Sequence, residues 1–237
     1  MPIRVSNGRF NIRTRMQVSN GVAPPPPTPE YWWRADSGLS ISAWTAYAGG
    51  VNLTLNSMTA YDSTNGAQFN GTTSYGQSTS VLGADIIAKH VLIRYDSLGL
   101  SGTVLSSTEY NISEIMFGNG SDAGYYVVES NAGGSSYSYA SQAGVAGTKL
   151  QWVDFANNAS GPDFYKNTST VKDGTYSVYA GVYTQQWAWR NGYSIVVGKR
   201  GVGDFLSGYI KEIAIFTTAH AATSVAAFRD TMNSRWP

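Results

Sequence analysis

The sequence predicts an all-β protein: an antiparallel jelly-roll sandwich with one helix near the C-terminus and an extended N-terminal arm. Short runs of β-branched and aromatic residues recur between clusters of Gly, Asn, Asp and Ser, and no helical pattern separates them before the C-terminus. This spacing is typical of antiparallel sandwiches and jelly rolls. A length of 237 residues with 26 glycines fits one large β domain or two small ones.

The composition excludes several kinds of chemistry. There is no cysteine, which removes disulfides, thiolate zinc sites and a cysteine nucleophile. The 2 histidines are too few for a His-rich metal site. No apolar run approaches the roughly 20 residues that span a bilayer, and Met1–Ser6 has no secretory signal pattern. We therefore expect a protein made in the cytoplasm, without membrane or disulfide requirements.

The first element is a basic arm, residues 1–22, in which apolar and polar side chains alternate with the period of a strand. A lone strand cannot pair the hydrogen-bonding groups of its own backbone. It therefore joins the sheet of its own domain, docks on another chain or stays disordered. We expect docking on another protein rather than on nucleic acid, because only one aromatic residue is present. The docking residues are Arg4, Arg9, Phe10, Ile12, Arg13, Arg15, Met16 and Val18.

A proline-rich linker, residues 23–30, separates the arm from the rest of the chain. Its run from Pro24 to Pro29 favours an extended polyproline spacer. The charge changes sign across it: residues 1–29 carry +4, whereas residues 30–237 hold 12 basic and 15 acidic residues, a net −3. Two surfaces with different tasks are therefore expected.

Residues 31–237 form the predicted sandwich domain. A helix from Ser224 to Trp236, capped by Thr223 or Ser224, is indicated by the apolar stripe of Val225, Phe228 and Met232. The clearest strands are 91–95, 103–107, 112–117, 125–129, 150–155, 178–183, 194–198 and 209–216.

Several motifs resemble those of laminin-G-like, concanavalin A-like jelly-roll domains. They are Gly66–Gly71 with Tyr75, Trp152 with the hairpin Phe164–Asn167, and the closing strands Ile195–Gly198 and Phe205–Phe216. Thr168 stands where the family's hairpin has glycine. The resemblance implies a jelly roll over most of residues 31–236. It also implies calcium bound in the loops, for which the candidates are Asp62, Asn65, Asp122 and Asp204, although turn formation explains these residues equally well.

Catalysis is not expected. Glycan-cleaving enzymes that resemble this fold carry two or three carboxylates at alternate positions of one strand. Here Ala214 follows Glu212 at that spacing, and Glu109 and Glu114 are five residues apart, on opposite faces of a strand. Neither His90 nor His220 lies in a nucleophile elbow. The sequence therefore predicts a protein without enzymatic activity, catalytic residues or a required cofactor.

Glycan binding is the expected chemistry of the domain, since exposed aromatic rings and polar side chains are what sugars require. The best candidate segment holds Trp187, Trp189, Arg190, Asn191 and Tyr193. Tyr125 and Tyr126, with Tyr137 and Tyr139, form a second candidate. Core packing or a subunit contact explains all of these aromatics and is favoured over glycan binding.

Together these features resemble the layout of bacteriophage virion proteins: capsid decoration proteins, head fibres and tail proteins with an anchor and an outward jelly-roll domain. We expect a virion structural protein that folds in the host cytoplasm and lies on the particle surface. Its arm would contact other virion proteins and its domain host polysaccharide, and the low charge is compatible with a homo-oligomer. The alternatives are a bacterial carbohydrate-binding or adhesion module and, less favoured, a glycan hydrolase.

Overall fold

A computed structural model describes residues 25–62, 64–97, 102–108, 114–119, 122–128, 137–141, 150–157, 163–166, 175–180, 187–201 and 203–237. Within these ranges the chain forms strands and a single helix. In chain order they are β1 (Tyr31–Arg34), β2 (Ala43–Trp44), β3 (Leu53–Asn56), β4 (Tyr61–Asp62), β5 (Gly66–Asn70), β6 (Tyr75–Ser78), β7 (Ile86–Ala88), β8 (His90–Ser97), β9 (Gly102–Ser107), β10 (Glu114–Asn119), β11 (Asp122–Val128), β12 (Tyr137–Ser141), β13 (Leu150–Asp154), β14 (Asp163–Lys166), β15 (Thr175–Ala180), β16 (Trp187–Trp189), β17 (Ile195–Val197), β18 (Ser207–Phe216) and α1 (Ala222–Arg235).

Two antiparallel sheets dominate the structure. The first has the order β14-β13-β8-β18-β5-β4, and the second has the order β11-β10-β9-β17-β6-β3-β2. The long strand β18 is central to the first sheet, because β8 pairs along one edge while β5 and β1 pair in succession along the other. Two small antiparallel pairs, β12 with β15 and β7 with β16, complete the described strands.

The main core lies between the two sheets. In β3 alternate residues point inward: Leu53 and Leu55 are buried while Thr54 between them is exposed. They join a cluster that includes Phe69, Ile93 and Ile210 of the first sheet and Val197 of the second. The period-two pattern therefore assigns one face of each strand to the core.

Helix α1 covers the outer face of the first sheet. Its buried residues Val225, Phe228 and Met232 share a second apolar cluster with Trp32 and Phe216. Phe228 makes edge contacts with both rings, at centroid distances of 5.4 Å to Trp32 and 5.2 Å to Phe216. The backbone capping residue is Ala221, without a side-chain cap, so Thr223 and Ser224 lie inside the first turn and do not cap it as expected.

A buried carboxylate fastens the end of α1 to the first sheet. Glu212 of β18 is fully buried and accepts hydrogen bonds from the indole N–H groups of Trp32 and Trp236, each at 2.6 Å. Arg235 donates to both carboxylate oxygens, also at 2.6 Å. The carbonyl of Trp236 accepts a further bond of 2.7 Å from the buried guanidinium of Arg94. Three donor groups thus make four hydrogen bonds to Glu212 and hold the helix C-terminus in place.

The prediction of an all-β antiparallel sandwich with one C-terminal helix is confirmed. The jelly-roll connectivity and the three-part division of the chain stay predictions. The arm, residues 1–22, lies outside the described residues, and the linker is described only from residue 25. Among the helical residues that the structure describes, none forms a helix long and apolar enough to cross a membrane.

Candidate functional site

The outer faces of the two sheets differ. Helix α1 lies on the first, whereas the outward side chains of β3 and β6 in the second are exposed or half-buried. Thr54, Asn56, Tyr75 and Gln77 point outward because their neighbours face the core, and the register pairs Thr54 with Gln77 and Asn56 with Tyr75. Val196 of β17 stands opposite Gln77 on the same side, but its side chain is buried. We call Thr54, Asn56, Tyr75 and Gln77 the open face.

A depression of about 260 Å³ lies at the β17 side of the open face. It brings together an amide, two hydroxyl-bearing residues, an ammonium group and an apolar contact within a space the size of a small sugar. Its lining residues are Gln77, Ser107, Thr108, Val196, Lys199 and Gly201.

The turn after β17 is fixed by its backbone. Gly198 has a φ of 78°, and a Cβ there would lie 2.3 Å from an edge carbon of the Phe69 ring. Only glycine combines this conformation with this packing. The hydroxyl of Ser106 donates to the carbonyl of Lys199 at 2.6 Å, which holds the turn against β9. The position of Lys199 beside the depression is therefore built into the sheet.

The Lys199 ammonium is placed by aromatic rings. Its Nζ lies 4.1 Å from the ring centroid of Tyr75 and 5.7 Å from that of Phe205, within the range of cation–π attraction. Within the described part of the chain, no carboxylate forms an ion pair with it. The nearby Asp204 pairs instead with Arg200 at 3.5 Å. This corner carries a net positive charge in a domain whose net charge is −3.

The predicted glycan segment is placed differently from expectation. Trp189 is fully buried in the main core, where its indole N–H donates to the carbonyl of Ser106 at 2.8 Å. Its ring therefore has no free face for a sugar, which corrects its place in the predicted site. Arg190 is half-buried, Asn191 and Tyr193 are exposed in the following turn, and the side chain of Trp187 lies outside the described residues.

The sequence patterns do not single out the polar residues of the open face or Lys199. Tyr75 and Phe205 appear only as parts of family motifs, and Gln77 and Lys199 carry no motif at all. The alternation from Tyr75 to Ser78 is the one signal that could have marked Gln77 as a neighbour of Tyr75 on one face. Lys199 could not have been found in this way, because it meets Tyr75 through the pairing of β6 with β17.

A second cavity lies at the start of α1. Trp152 and Tyr165 stack at 4.2 Å with an interplanar angle of 19°, and with Ala222, Thr223 and Ala226 they line about 210 Å³. Burial, reinforced by the nearby carboxylates of Asp163 and Asp154, raises the pKa of Tyr165 to about 12. Among the described residues, the buried indole N–H of Trp152 has no hydrogen-bond partner. This cavity is mostly apolar and belongs to the packing between α1 and the first sheet.

The buried acid and imidazole groups form a separate structural cluster. Asp154 Oδ1 lies 3.2 Å from His90 Nδ1, and His90 Nε2 accepts the backbone N–H of His220 at 2.9 Å. Asn157 donates to Asp154 Oδ2 at 2.6 Å. Burial alone would raise the pKa of Asp154, but the contacts with His90 and Asn157 outweigh it and lower the pKa. Since Nε2 is occupied by a backbone donor, His90 serves here to join β8, β13 and the segment before α1.

The calcium candidates do not converge in the described ranges. Asp204 is exposed and paired with Arg200, and Asn65 is exposed in a turn. The side chains of Asp62 and Asp122 lie outside the residues that the structure describes. Among the described residues there is no group of three or more His, Cys, Asp or Glu side chains that could hold a metal ion. Calcium binding stays a prediction that nothing tests.

Comparison with solved structures relates the fold to proteins that act on or bind glycans. A trans-sialidase-active mutant of Trypanosoma rangeli sialidase has a TM-score of 0.53 at 10% identity, over 87% of this chain and 33% of that one. The same sialidase in complex with sialic acid has a TM-score of 0.53 at 10% identity, over 88% of this chain and 34% of that one. Domain 4 of a GH43 arabinanase from Geobacillus stearothermophilus, in complex with arabinotriose, is more distant. Its TM-score is 0.46 at 13% identity, over 85% of this chain and 98% of that one.

These likenesses extend to the fold alone. The chain spans about a third of the length of the sialidases. No protein-family model matches the chain, and no curated protein is significantly similar to it.

The comparison corrects one expectation and leaves another without support. The prediction of no enzymatic activity is contradicted, because the solved structures that share the fold include a Trypanosoma rangeli sialidase. These solved structures give no support to the predicted resemblance to phage virion proteins. What they support is the fold.

Proposed function

We propose that this chain is a glycan-recognition protein and that the open face with its depression is the binding site. The observation that carries the proposal is the asymmetry of the sandwich: α1 buries the outer face of one sheet, and the other presents aromatic, amide, hydroxyl and ammonium groups together. This combination suits a sugar, which offers hydroxyl groups at its edge and C–H groups on its faces.

Each part of the site has a role in this proposal. Gln77 and Thr108 exchange hydrogen bonds with sugar hydroxyls, and the exposed part of Tyr75 contacts the C–H groups. Gln77 and Val196 lie on paired strands, and each strand is also paired on its other side. The binding groups are therefore held in position before the ligand arrives, which reduces the entropy lost on binding.

The proposal is tested by glycan-array binding of the full chain and of two variants. Tyr75→Ala is expected to weaken binding roughly tenfold and Gln77→Ala roughly fivefold. Tyr61→Ala is the matched control, since Tyr61 is an exposed tyrosine at the edge of the first sheet. Binding that is unchanged in Tyr75→Ala and Gln77→Ala, with all variants folded, would place the site elsewhere.

The glycans that bind are also used to test for catalysis. Each glycan that binds is incubated with the chain, and reducing ends are measured, because the fold is shared with glycoside hydrolases. Release of sugar would make the open face a substrate-binding surface of an enzyme. Binding without release would favour the carbohydrate-binding module that the sequence offers as its alternative.

The setting that we propose for this domain is the surface of a virion, with the basic arm as anchor. It is supported by the sequence only: the arm carries +4, the domain −3, and a proline run separates them. Deleting residues 1–24 tests it, because a shortened protein that is still incorporated at full occupancy into particles would exclude the arm as anchor. Glycan binding by the shortened protein is expected to be unaffected.

A further inference from the structure

We infer that the open face selects sugars that carry a carboxylate, such as uronic or sialic acids, and that Lys199 is the residue that selects them. The inference rests on the proposed glycan-binding function and adds the chemical class of the ligand. Its starting point is the location of Lys199 on the wall of the depression, next to Gln77 and Thr108.

The two basic residues at this corner, Lys199 and Arg200, differ in their partners. Arg200 is paired with Asp204 at 3.5 Å, so those two charges offset each other. Lys199 has aromatic neighbours but, in the residues described, no carboxylate partner. An ammonium group attracted by two rings keeps its full positive charge and its donor capacity toward a ligand. The corner is thus complementary to one negative group.

Two contacts hold the Lys199 side chain beside the depression. The Tyr75 ring centroid lies 4.1 Å from Nζ and fixes where the ammonium stands, while the hydrogen bond from the Ser106 hydroxyl to the carbonyl of Lys199 fixes the start of the side chain. A lysine restrained at both ends loses less rotamer entropy on binding than a free surface lysine. A sugar in the depression can therefore place a ring carboxylate against Nζ while its hydroxyls contact Gln77 and Thr108.

An acidic sugar fits this corner better than a nucleic acid. Nucleic-acid binding draws on several cations along a surface, whereas the described corner offers one free ammonium. A single charge-assisted hydrogen bond beside hydroxyl and amide groups matches one acidic sugar. We expect the acid form of a sugar to bind roughly tenfold more tightly than its uncharged form, and the difference to shrink in 1 M salt.

The test uses three matched pairs of probes and the full chain. The pairs are polygalacturonate and its methyl ester, hyaluronan and its methyl ester, and sialyllactose and lactose. Affinities are measured calorimetrically for the native chain, Lys199→Gln and Lys199→Arg. Lys89→Gln is the control for loss of a positive charge, because Lys89 adjoins β8 of the first sheet.

The expected result is a preference for the acid member in at least one pair, lost in Lys199→Gln and kept in Lys199→Arg and Lys89→Gln. Binding of the uncharged member should be the same in all variants. Equal binding of both members, or a preference that survives in Lys199→Gln, would overturn the inference while leaving the proposed function intact. If no member of any pair binds, the inference falls, and the glycan array with Tyr75→Ala decides separately on the proposed function.

Discussion

Replacing Glu212 by glutamine should destabilise the domain more than any other single-atom change in the first sheet. The carboxylate accepts four hydrogen bonds, one indole N–H on each oxygen and the Arg235 guanidinium on both. A glutamine keeps one acceptor oxygen and turns an NH₂ group toward two of these donors. Hydrogen bonds to charged groups contribute about 1.5–3 kcal/mol each, and breaking a buried ion pair costs about 3–5 kcal/mol.

We therefore expect the free energy of unfolding to fall by about 3–5 kcal/mol and the melting temperature by about 10 °C. Urea unfolding at pH 7, followed by tryptophan fluorescence, measures the change. Asp36→Asn is the control, because Asp36 pairs with Arg34 at 2.6 Å on a more exposed part of the surface, where an ion pair contributes about 0.2–1 kcal/mol. A loss below 1 kcal/mol in Glu212→Gln would refute the view that this carboxylate fastens α1.

Two further predictions concern the site and the buried acid. Gly198→Ala places a methyl group 2.3 Å from the Phe69 ring at a φ of 78°, so we expect a loss of about 2–4 kcal/mol in urea unfolding; a loss below 0.5 kcal/mol would contradict this packing. The pKa of Asp154 is lowered in the fold, so its stabilisation is present above the unfolded value of about 3.9 and is lost as the pH falls through the folded value. Urea midpoints between pH 6 and pH 3 should fall less steeply in Asp154→Asn than in the native chain, and parallel curves would contradict the assignment.

The strands and the helix were predictable because local patterns specify them. Leu53 and Leu55 alternate with polar residues, and Val225, Phe228 and Met232 repeat with the spacing of one helix face. Burial of one face is sufficient to produce such patterns. The closing strand, Ser207–Phe216, was anticipated as Tyr209–Phe216, only two residues shorter than observed.

The candidate site was not predictable from the same patterns. A period of two shows that Trp187 and Trp189 share a side of an extended segment, but not whether that side faces solvent. The pairing of β16 with β7 sets Trp189 opposite the buried Ile86, and this places the ring in the core. Aromatic residues with polar neighbours in sequence fit either a surface site or the core, and tertiary pairing decides which aromatic rings stay accessible.

On the proposed function, the same pairing suits the open face to selection among glycans rather than to tight binding of one. Its amide group stands on a strand held by neighbours on both sides, and the charge of Lys199 beside it stands on a turn fixed by Gly198 and Ser106. Hydrogen bonds to a hydroxyl contribute little net affinity each, because water competes for both partners. The charge therefore contributes the larger difference between one sugar and another. If the protein is displayed in many copies, modest affinity at each open face adds up through multivalency, and the charge at Lys199 determines which surfaces the assembled copies recognise.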